Sequence, residues 1–371
     1  MVDERLKKLA YNLVNYSCSL KKGEKIAIDA TDTDPEFVCA LVDEVYKVGG
    51  YPFVWQSSSI VRRKLLMGTT EEREKIRCKH DLPIMEDMNA YISIRSKNVY
   101  ENSDVPKENI KLVNKFYNYD VHIKTRVPKT KWVILNYPTS VLAQNAGMST
   151  EAFEDFYFDV CNLDYSKMDK AMDSLKALME KTDKVRIKAP GTDISFSIKG
   201  LPAIKCSGKF NIPDGEIFTA PVKNSVNGTI KYNIPILSGN GERHEDITLT
   251  FKDGKIVKAT SVSREDINKI FDIDEGARYV GEFSFGVNPY IKKPMLDILF
   301  DEKIMGSIHF TPGSCYDECD NGNKSALHWD LIQIQTPEYG GGEIYLDDVL
   351  VRKDGRFVLD ELKCLNPENL V

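Results

Sequence analysis

Residues 21–56 read KKGEKIAIDATDTDPEFVCALVDEVYKVGGYPFVWQ, and the order of patterns in them decides the fold class. A charged turn runs into the short apolar segment KIAIDA, which reads as a strand. DPEFVCALVDEVYKVGG follows as a helix with an acidic start and a glycine stop, and YPFVWQ as a second strand. This is a β-α-β rhythm.

The rhythm extends in both directions. Upstream, Leu6, Leu9, Ala10, Leu13 and Val14 make a helical stripe within residues 3–20. Downstream, EEREKIRCKHDLPIMEDM (71–88) reads as helix, AYISIRS (90–96) as strand, PKENIKLVNKFYNY (106–119) as helix and KWVILNYP (131–138) as strand. Such alternation implies a parallel sheet covered by helices on both faces. Residues 150–182 are mostly helical and read as a bridge out of this first domain.

From about residue 184 short strands and hairpin turns take over, in KVRIKAPGTDISFSIKG (184–200), ITLTFKDGKIVKATSV (247–262) and GGGEIYLDDVLVRKDGRFVL (340–359). The Asp-Gly pairs at 253–254 and 354–355, flanked by alternating apolar residues, are hairpin signals. REDINKIFD (264–272) reads as one intervening helix. The expectation is an α/β domain with a mainly parallel sheet over 1–184, then an α+β domain rich in antiparallel β over 185–371.

A chain of 371 residues is long enough for two cores. Its 42% hydrophobic and 29% charged content is that of a globular protein. The formal charge of −6 argues against a nucleic acid held by bulk electrostatics. The opening MVDERLKKLAYNLVNYSCSL has no apolar signal-peptide core, and no uncharged run is long enough to span a bilayer, so a cytoplasmic protein with no membrane partner is expected. The eight cysteines are widely scattered and read as reduced thiols.

Candidate chemistry gathers in the second half, most densely in MGSIHFTPGSCYDECDNGNKSALHWDLIQ (305–333). Cys315 and Cys319 lack a second cysteine pair for a thiolate zinc site. His309 ends a strand-like apolar run. His328 and Asp330, two apart in SALHWDLIQI, point to one face if that segment is a strand, with Trp329 turned to the opposite layer. Glu216 in NIPDGEIFTAP and Glu282 in YVGEFSFGVNP lie among apolar residues, where a carboxylate is costly unless paired or metal-bound. Two histidines with three carboxylates suit a pair of divalent ions, one carboxylate bridging; such a pair lowers the pKa of a shared water and polarises a carbonyl, the needs of hydrolysis. Tyr316, seven residues after His309, reads either as an ordinary loop tyrosine or as a hydrogen-bond donor to a developing oxyanion. Zinc, cobalt, manganese and magnesium are all compatible with these ligands.

NIPDGEIFTAP, the GEF of YVGEFSFGVNP, IHF followed by Tyr316, and ALHWD, in this order, resemble the site motifs of the thermophilic metalloprotease family, of the aminopeptidase T and aminopeptidase S type. The opening NLVNYSCSLKKGEKIAIDA and the closing GGGEIYLDDVLVRKDGRFVL also resemble that family. The resemblance implies an N-terminal α/β domain, a C-terminal β-rich domain with the site, and a homodimer. It implies a metal-dependent aminopeptidase acting on peptides, with Glu216, Glu282, His309, His328 and Asp330 as ligands of a two-metal centre and Tyr316 catalytic. Glu216 and Glu282 would divide the roles of bridging ligand and base. Glu302, in LFDEKIMGSIH, resembles an additional acidic ligand, although its distance from His309 departs from the family pattern. Pro312 is a second departure, stiffening the link between His309 and Tyr316.

His244, crowded by Glu242, Glu245 and Asp246, reads as a residue of a solvated turn before a strand. His80 and His122 read as surface or structural residues, VRRKLL (61–66) as an exposed stretch, and Gly340–Gly342 as a flexible turn. Two rivals stand beside the aminopeptidase: another two-metal amide hydrolase, and a non-catalytic protein whose CYDEC motif holds a structural zinc. Replacing Cys315 and Cys319 together by serine separates the last, because a histidine and carboxylate centre keeps its metal content per chain and a thiolate site loses it.

Overall fold

The pattern of residues 21–56 is realised as the strand Lys25–Thr31, the helix Pro35–Val48 and the strand Tyr51–Ser57. The computed structural model describes residues 3–96, 101–238, 242–264 and 266–371. Asp34 caps the helix by accepting a hydrogen bond from the Glu36 amide, and Pro35 supplies the φ of the first turn. Gly49, at φ 81°, ends it in the left-handed conformation.

The two strands pair in parallel. Ala90–Arg95 pairs with the other edge of Lys25–Thr31, Lys131–Asn136 follows it, and the two-residue strand Asn211–Ile212 completes a five-stranded parallel sheet. The order therefore reverses beside Lys25–Thr31, with the second strand on one side and the third on the other. Lys25–Thr31 and Ala90–Arg95 are largely buried, whereas Tyr51–Ser57 is an edge strand that leaves Tyr51, Phe53 and Val54 exposed.

The helices follow the sequence with two extensions. The stripe near the start forms the α-helix Glu4–Tyr11 and continues as a wider π-type turn, Asn12–Ser17. The helix expected over 106–119 runs on as Lys107–Val113 and then as a π-type stretch to Arg126. No glycine or proline interrupts that polar run before Pro128.

Two compact units result, Met1–Asn162 with Gly208–Ile212, and Leu163–Ser207 with Pro213–Val371. The helix Tyr165–Met179 belongs to the second unit, although the sequence pattern puts it before a boundary at 184. Its ties are long-range: the Lys205 ammonium contacts Asp169 and Asp173, and the Tyr165 hydroxyl accepts from the Asp214 amide.

The second unit contains two antiparallel sheets among the described residues. The nine-stranded sheet includes the hairpins Lys184–Ala189 with Thr192–Ser197 and Arg243–Lys252 with Lys255–Val262, as the sequence pattern predicts. The five-stranded sheet runs in the order Ile332–Ile334, Ser307–Pro312, Val280–Gly286, Glu216–Thr219 and Ile204–Cys206. Two expectations are corrected. SALHWDLIQI is strand only over Ile332–Ile334, His328 making an isolated bridge to Gly313. The helix expected in REDINKIFD is reduced to Asn268–Phe271 among the described residues.

Aromatic residues fill the core of this unit. Phe283 and Phe310, one from each central strand of the smaller sheet, lie 5.0 Å from Phe196 of the larger sheet, and Phe251 is 5.9 Å from Phe310. Strand alternation puts Phe283 and Phe285, with Ile308 and Phe310, on this face, so Glu282, Ser284, His309 and Thr311 share the other. Phe283→Ala is expected to destabilise the second unit by about 3–5 kcal/mol, read as a lower denaturant midpoint in its tryptophan-monitored transition.

Candidate metal centre

Glu216, Glu282 and His309 come from three adjacent strands. The register sets Ser284 opposite His309 and Phe218, and Gly286 opposite Glu216, which brings the alternate residues Glu216, Glu282 and His309 to one face. His309 Nε2 lies 3.1 Å from Glu282 Oε1 and 3.3 Å from Glu216 Oε2. His328 and Asp330 arrive from the extended segment beside Ser307–Pro312. His328 Nε2 lies 3.3 Å from Glu282 Oε2 and 3.2 Å from Asp330 Oδ1.

Two ligand groups follow, Glu216–Glu282–His309 and Glu282–His328–Asp330, each with ligand atoms within 4.8 Å of one another. Glu282 belongs to both, offering one oxygen to each imidazole. His309 and Glu282 are almost fully buried.

Neighbouring groups fix these side chains. The Ser314 carbonyl accepts from His328 Nδ1 at 2.8 Å, which leaves Nε2, the nitrogen toward Glu282 and Asp330, as the atom that exchanges a proton for a cation. Thr311 donates to Asp330 at 2.8 Å, and Ser284 lies 3.3 Å from Glu216 Oε2. His328 Nε2 is buried without a hydrogen-bond partner although two carboxylates lie beside it. An orphaned imidazole nitrogen facing buried carboxylates is the donor set a divalent cation takes, so the residues fit the group.

Electrostatics point the same way. Burial disfavours the charged form of His328, but Asp330 and Glu282 override it and push its pKa up to about 11. Burial likewise opposes charge on His309, and Glu216 and Glu282 raise its pKa nonetheless. Asp330, despite burial, is held well below the usual carboxylate range by His328, His309 and the Thr311 hydroxyl. A field that holds protons on imidazoles attracts a cation to the same atoms. Burial, then Glu282, Asp330 and Glu216, push the Tyr316 phenol well up, so it stays protonated; its ring lies edge-on to His328 at 4.8 Å and is exposed on its outer side.

Glu302 joins neither group. Its carboxylate ion-pairs with Lys303, whose buried ammonium also lies 3.6 Å from Glu216 Oε1. Lys303 is absent from the sequence candidates, although a lysine between apolar runs in LFDEKIMGSIHF is the available signal. Asp214 and Cys206 form a third group with Glu216, but burial and the two carboxylates push the Cys206 thiol well up, so it stays protonated without a cation. Cys315 instead donates to Asp320 and to the Asn323 carbonyl, and Cys319 packs in an apolar cluster with Phe218 and Cys206. His244 is corrected: it is fully buried in the strand Arg243–Lys252, 3.3 Å from the Ser261 hydroxyl, with its ring against Trp329. Trp329 packs on Phe271 as well as on His244.

The backbone holding Ser314 is tightly placed. A side-chain carbon on Gly281 would meet the Ser314 carbonyl oxygen at 2.3 Å, and one on Gly313 would meet the Leu327 carbonyl at 2.1 Å. Gly281→Ala therefore displaces the acceptor that orients His328. Metal affinity is expected to fall by about tenfold or more, measured by competition against a chelator with circular dichroism as the folding control.

A family model described as thermophilic metalloprotease (M29) matches residues 2–357. A curated relative, aminopeptidase AmpS of Bacillus subtilis (strain 168), is 24% identical over 369 residues, covering 89% of each chain. Among solved structures, wild-type AmpT from Thermus thermophilus has a TM-score of 0.80 at 20% identity, covering 96% of this chain and 99% of that one. The 2,5-dihydroxypyridine dioxygenase of Pseudomonas putida KT2440 has a TM-score of 0.61 at 14% identity over 96% of this chain and 98% of its own. These structural likenesses concern the fold.

Proposed function

The chain belongs to the thermophilic metalloprotease (M29) family, and on that premise we propose that it is a metal-dependent aminopeptidase that releases N-terminal residues from peptides at a two-metal centre. One observation carries the reading: Glu282 turns its two oxygens to two different imidazoles, 3.1 Å from His309 and 3.3 Å from His328. Glu216 and His309 would complete one position and His328 and Asp330 the other, with Glu282 shared. The curated relatives are named aminopeptidases, among them AmpS of Bacillus subtilis, which supports the exopeptidase assignment.

When bound, divalent ions supply Lewis acidity, which acidifies water and polarises a substrate carbonyl. The remaining work falls to the chain. Ser284 and Thr311 hold Glu216 and Asp330 by hydrogen bonds, and the Ser314 carbonyl keeps His328 in one tautomer. Lys303 compensates the buried charge of Glu216. Tyr316 retains its proton and donates it in a hydrogen bond to the oxyanion of the tetrahedral species. With both oxygens of Glu282 committed, Glu216 is left to take the proton released from water and pass it to the leaving amine.

The protein is further read as a cytoplasmic homodimer. The exposed apolar residues Tyr51, Phe53 and Val54 on the edge strand, with Ile60 and Val61 nearby, support association. No described helix is long and apolar enough to cross a membrane.

Leucine amide and arginine amide, each with its N-acetylated counterpart, test the activity before and after chelation. Cleavage of the free amides alone, lost with the metal and regained on its return, is expected. Cleavage of only the blocked forms would overturn the aminopeptidase reading. Tyr316→Phe should keep the parent metal content while kcat falls by roughly 100-fold or more, and His309→Ala should lose both.

A further inference from the structure

The α/β unit carries a second cluster of ionisable groups, and it is cationic. Along Ala90–Arg95, the alternate residues Tyr91, Ser93 and Arg95 share a face with Asp29 and Thr31 of the neighbouring strand, in the register Asp29 to Ser93 and Thr31 to Arg95. That face floors a cavity of about 490 Å³ into which Arg62, His122 and Arg126 also project. An adjoining cavity of about 460 Å³ shares Asp29, Arg62, Tyr91 and His122; Trp55, Met85 and Tyr117 line it beside the mutually paired charges of Arg73, Glu74, Arg77 and Asp81. The volumes are those of small-molecule sites.

Among the described residues, Arg62, Arg95 and Arg126 have no carboxylate partner. Arg62 donates to the Thr31 hydroxyl at 2.8 Å, Arg95 to the Ser93 hydroxyl at 3.4 Å, and Arg126 to His122 Nδ1 at 3.3 Å, all neutral acceptors. Two acids also line the cavity, Glu101 and Asp29, and Asp29 accepts from the Tyr91 hydroxyl at 2.8 Å. Arg126 is 7% exposed, stacked over Tyr91 and Trp132, and its Nη1 is buried with no hydrogen-bond partner. A buried guanidinium without an anion is costly and specific in what relieves it, since its planar fork matches phosphate and carboxylate oxygens. The concentration of positive charge is felt by His122, whose pKa is pushed down to about 4 by burial and then by Arg126, Arg77, Arg95 and Arg62.

The place is also the one where parallel sheets bind ligands. Thr31 and Arg95 end their strands, and the strand order reverses between those two strands, which opens a crevice at their carboxyl ends. No glycine-rich loop supplies backbone amides there, so the anion is left to the arginine side chains.

We propose that the α/β unit binds a small molecule joining an oxyanion, phosphate or carboxylate, to an apolar or aromatic body, with the oxyanion facing Arg62, Arg95 and Arg126 and the body against Trp55, Met85 and Tyr117. Its residues all belong to the first unit and the candidate metal ligands to the second, and the proposal stands or falls independently of the peptidase reading.

Titration calorimetry on the full chain with phenyl phosphate, 3-phenylpropionate and neutral 3-phenylpropanamide tests it. At least one aromatic anion should bind, about tenfold or more tighter than the amide. Arg126→Met should weaken that binding by a similar factor, and Arg95→Met, at an exposed position that does not threaten folding, should do the same. Leucine amide turnover should stay unchanged in both. A preference for phenyl phosphate assigns a phosphate ester as the ligand class, and a preference for phenylpropionate a carboxylate; either supports the site. Absence of binding by both anions at about 1 mM, equal binding of the amide, or unchanged affinity in Arg95→Met and Arg126→Met would overturn it.

Discussion

A single buried carboxylate shared between two imidazoles governs the second unit. Glu282 is 3% exposed, and a carboxylate that deep in a protein persists only if its charge is answered within hydrogen-bond distance. The answer comes from His309 on the next strand and His328 on the segment beyond it. Both depend on antiparallel register, which aligns the alternate residues of neighbouring strands on one face while the phenylalanines between them pack on the other. A one-residue slip would exchange Glu282 and His309 for phenylalanines, so the aromatic core and the polar cluster enforce the same register.

Around that carboxylate the charges are balanced in layers. Glu216 is met by Lys303, which is itself held by Glu302, so an acidic residue outside the ligand groups still acts on one inside them. Asp330 is met by Thr311 and His328, and His328 by the Ser314 carbonyl, whose position relies on the missing side chain of Gly281. These supports set the tautomer and charge of the clustered side chains in advance of any bound cation. The likeness in fold to a dioxygenase marks how little architecture says about chemistry, and places the weight on the donor set itself.

Sequence patterns are most legible where the backbone conformation is local. At both Asp-Gly pairs each turn residue has positive φ, 49° at Asp253 and 85° at Gly254, then 49° at Asp354 and 78° at Gly355, and the hairpins lie where those dipeptides put them. The β-α-β rhythm of residues 21–56 is equally plain, because helix cap, glycine stop and apolar strand each occupy adjacent residues. His244 misleads because its acidic neighbours suggest solvent, whereas strand alternation turns its ring inward against Trp329. The helix Tyr165–Met179 groups with the first half in sequence because its ties to Lys205 span more than thirty residues and leave no local trace.

The sequence by itself determined which residue types were available and the alternation that presents them: a parallel α/β half, an antiparallel half, and Glu216, Glu282, His309, His328 and Asp330 as the chemically expensive residues in apolar surroundings. Only the tertiary structure decided that Glu282 stands between the two histidines, that Glu302 answers Lys303, and that three arginines from separate elements face one cavity. The physical reason is range. Turn geometry and strand alternation are set by neighbours in the chain, whereas a buried charge is compensated by whichever group the packing brings within about 4 Å.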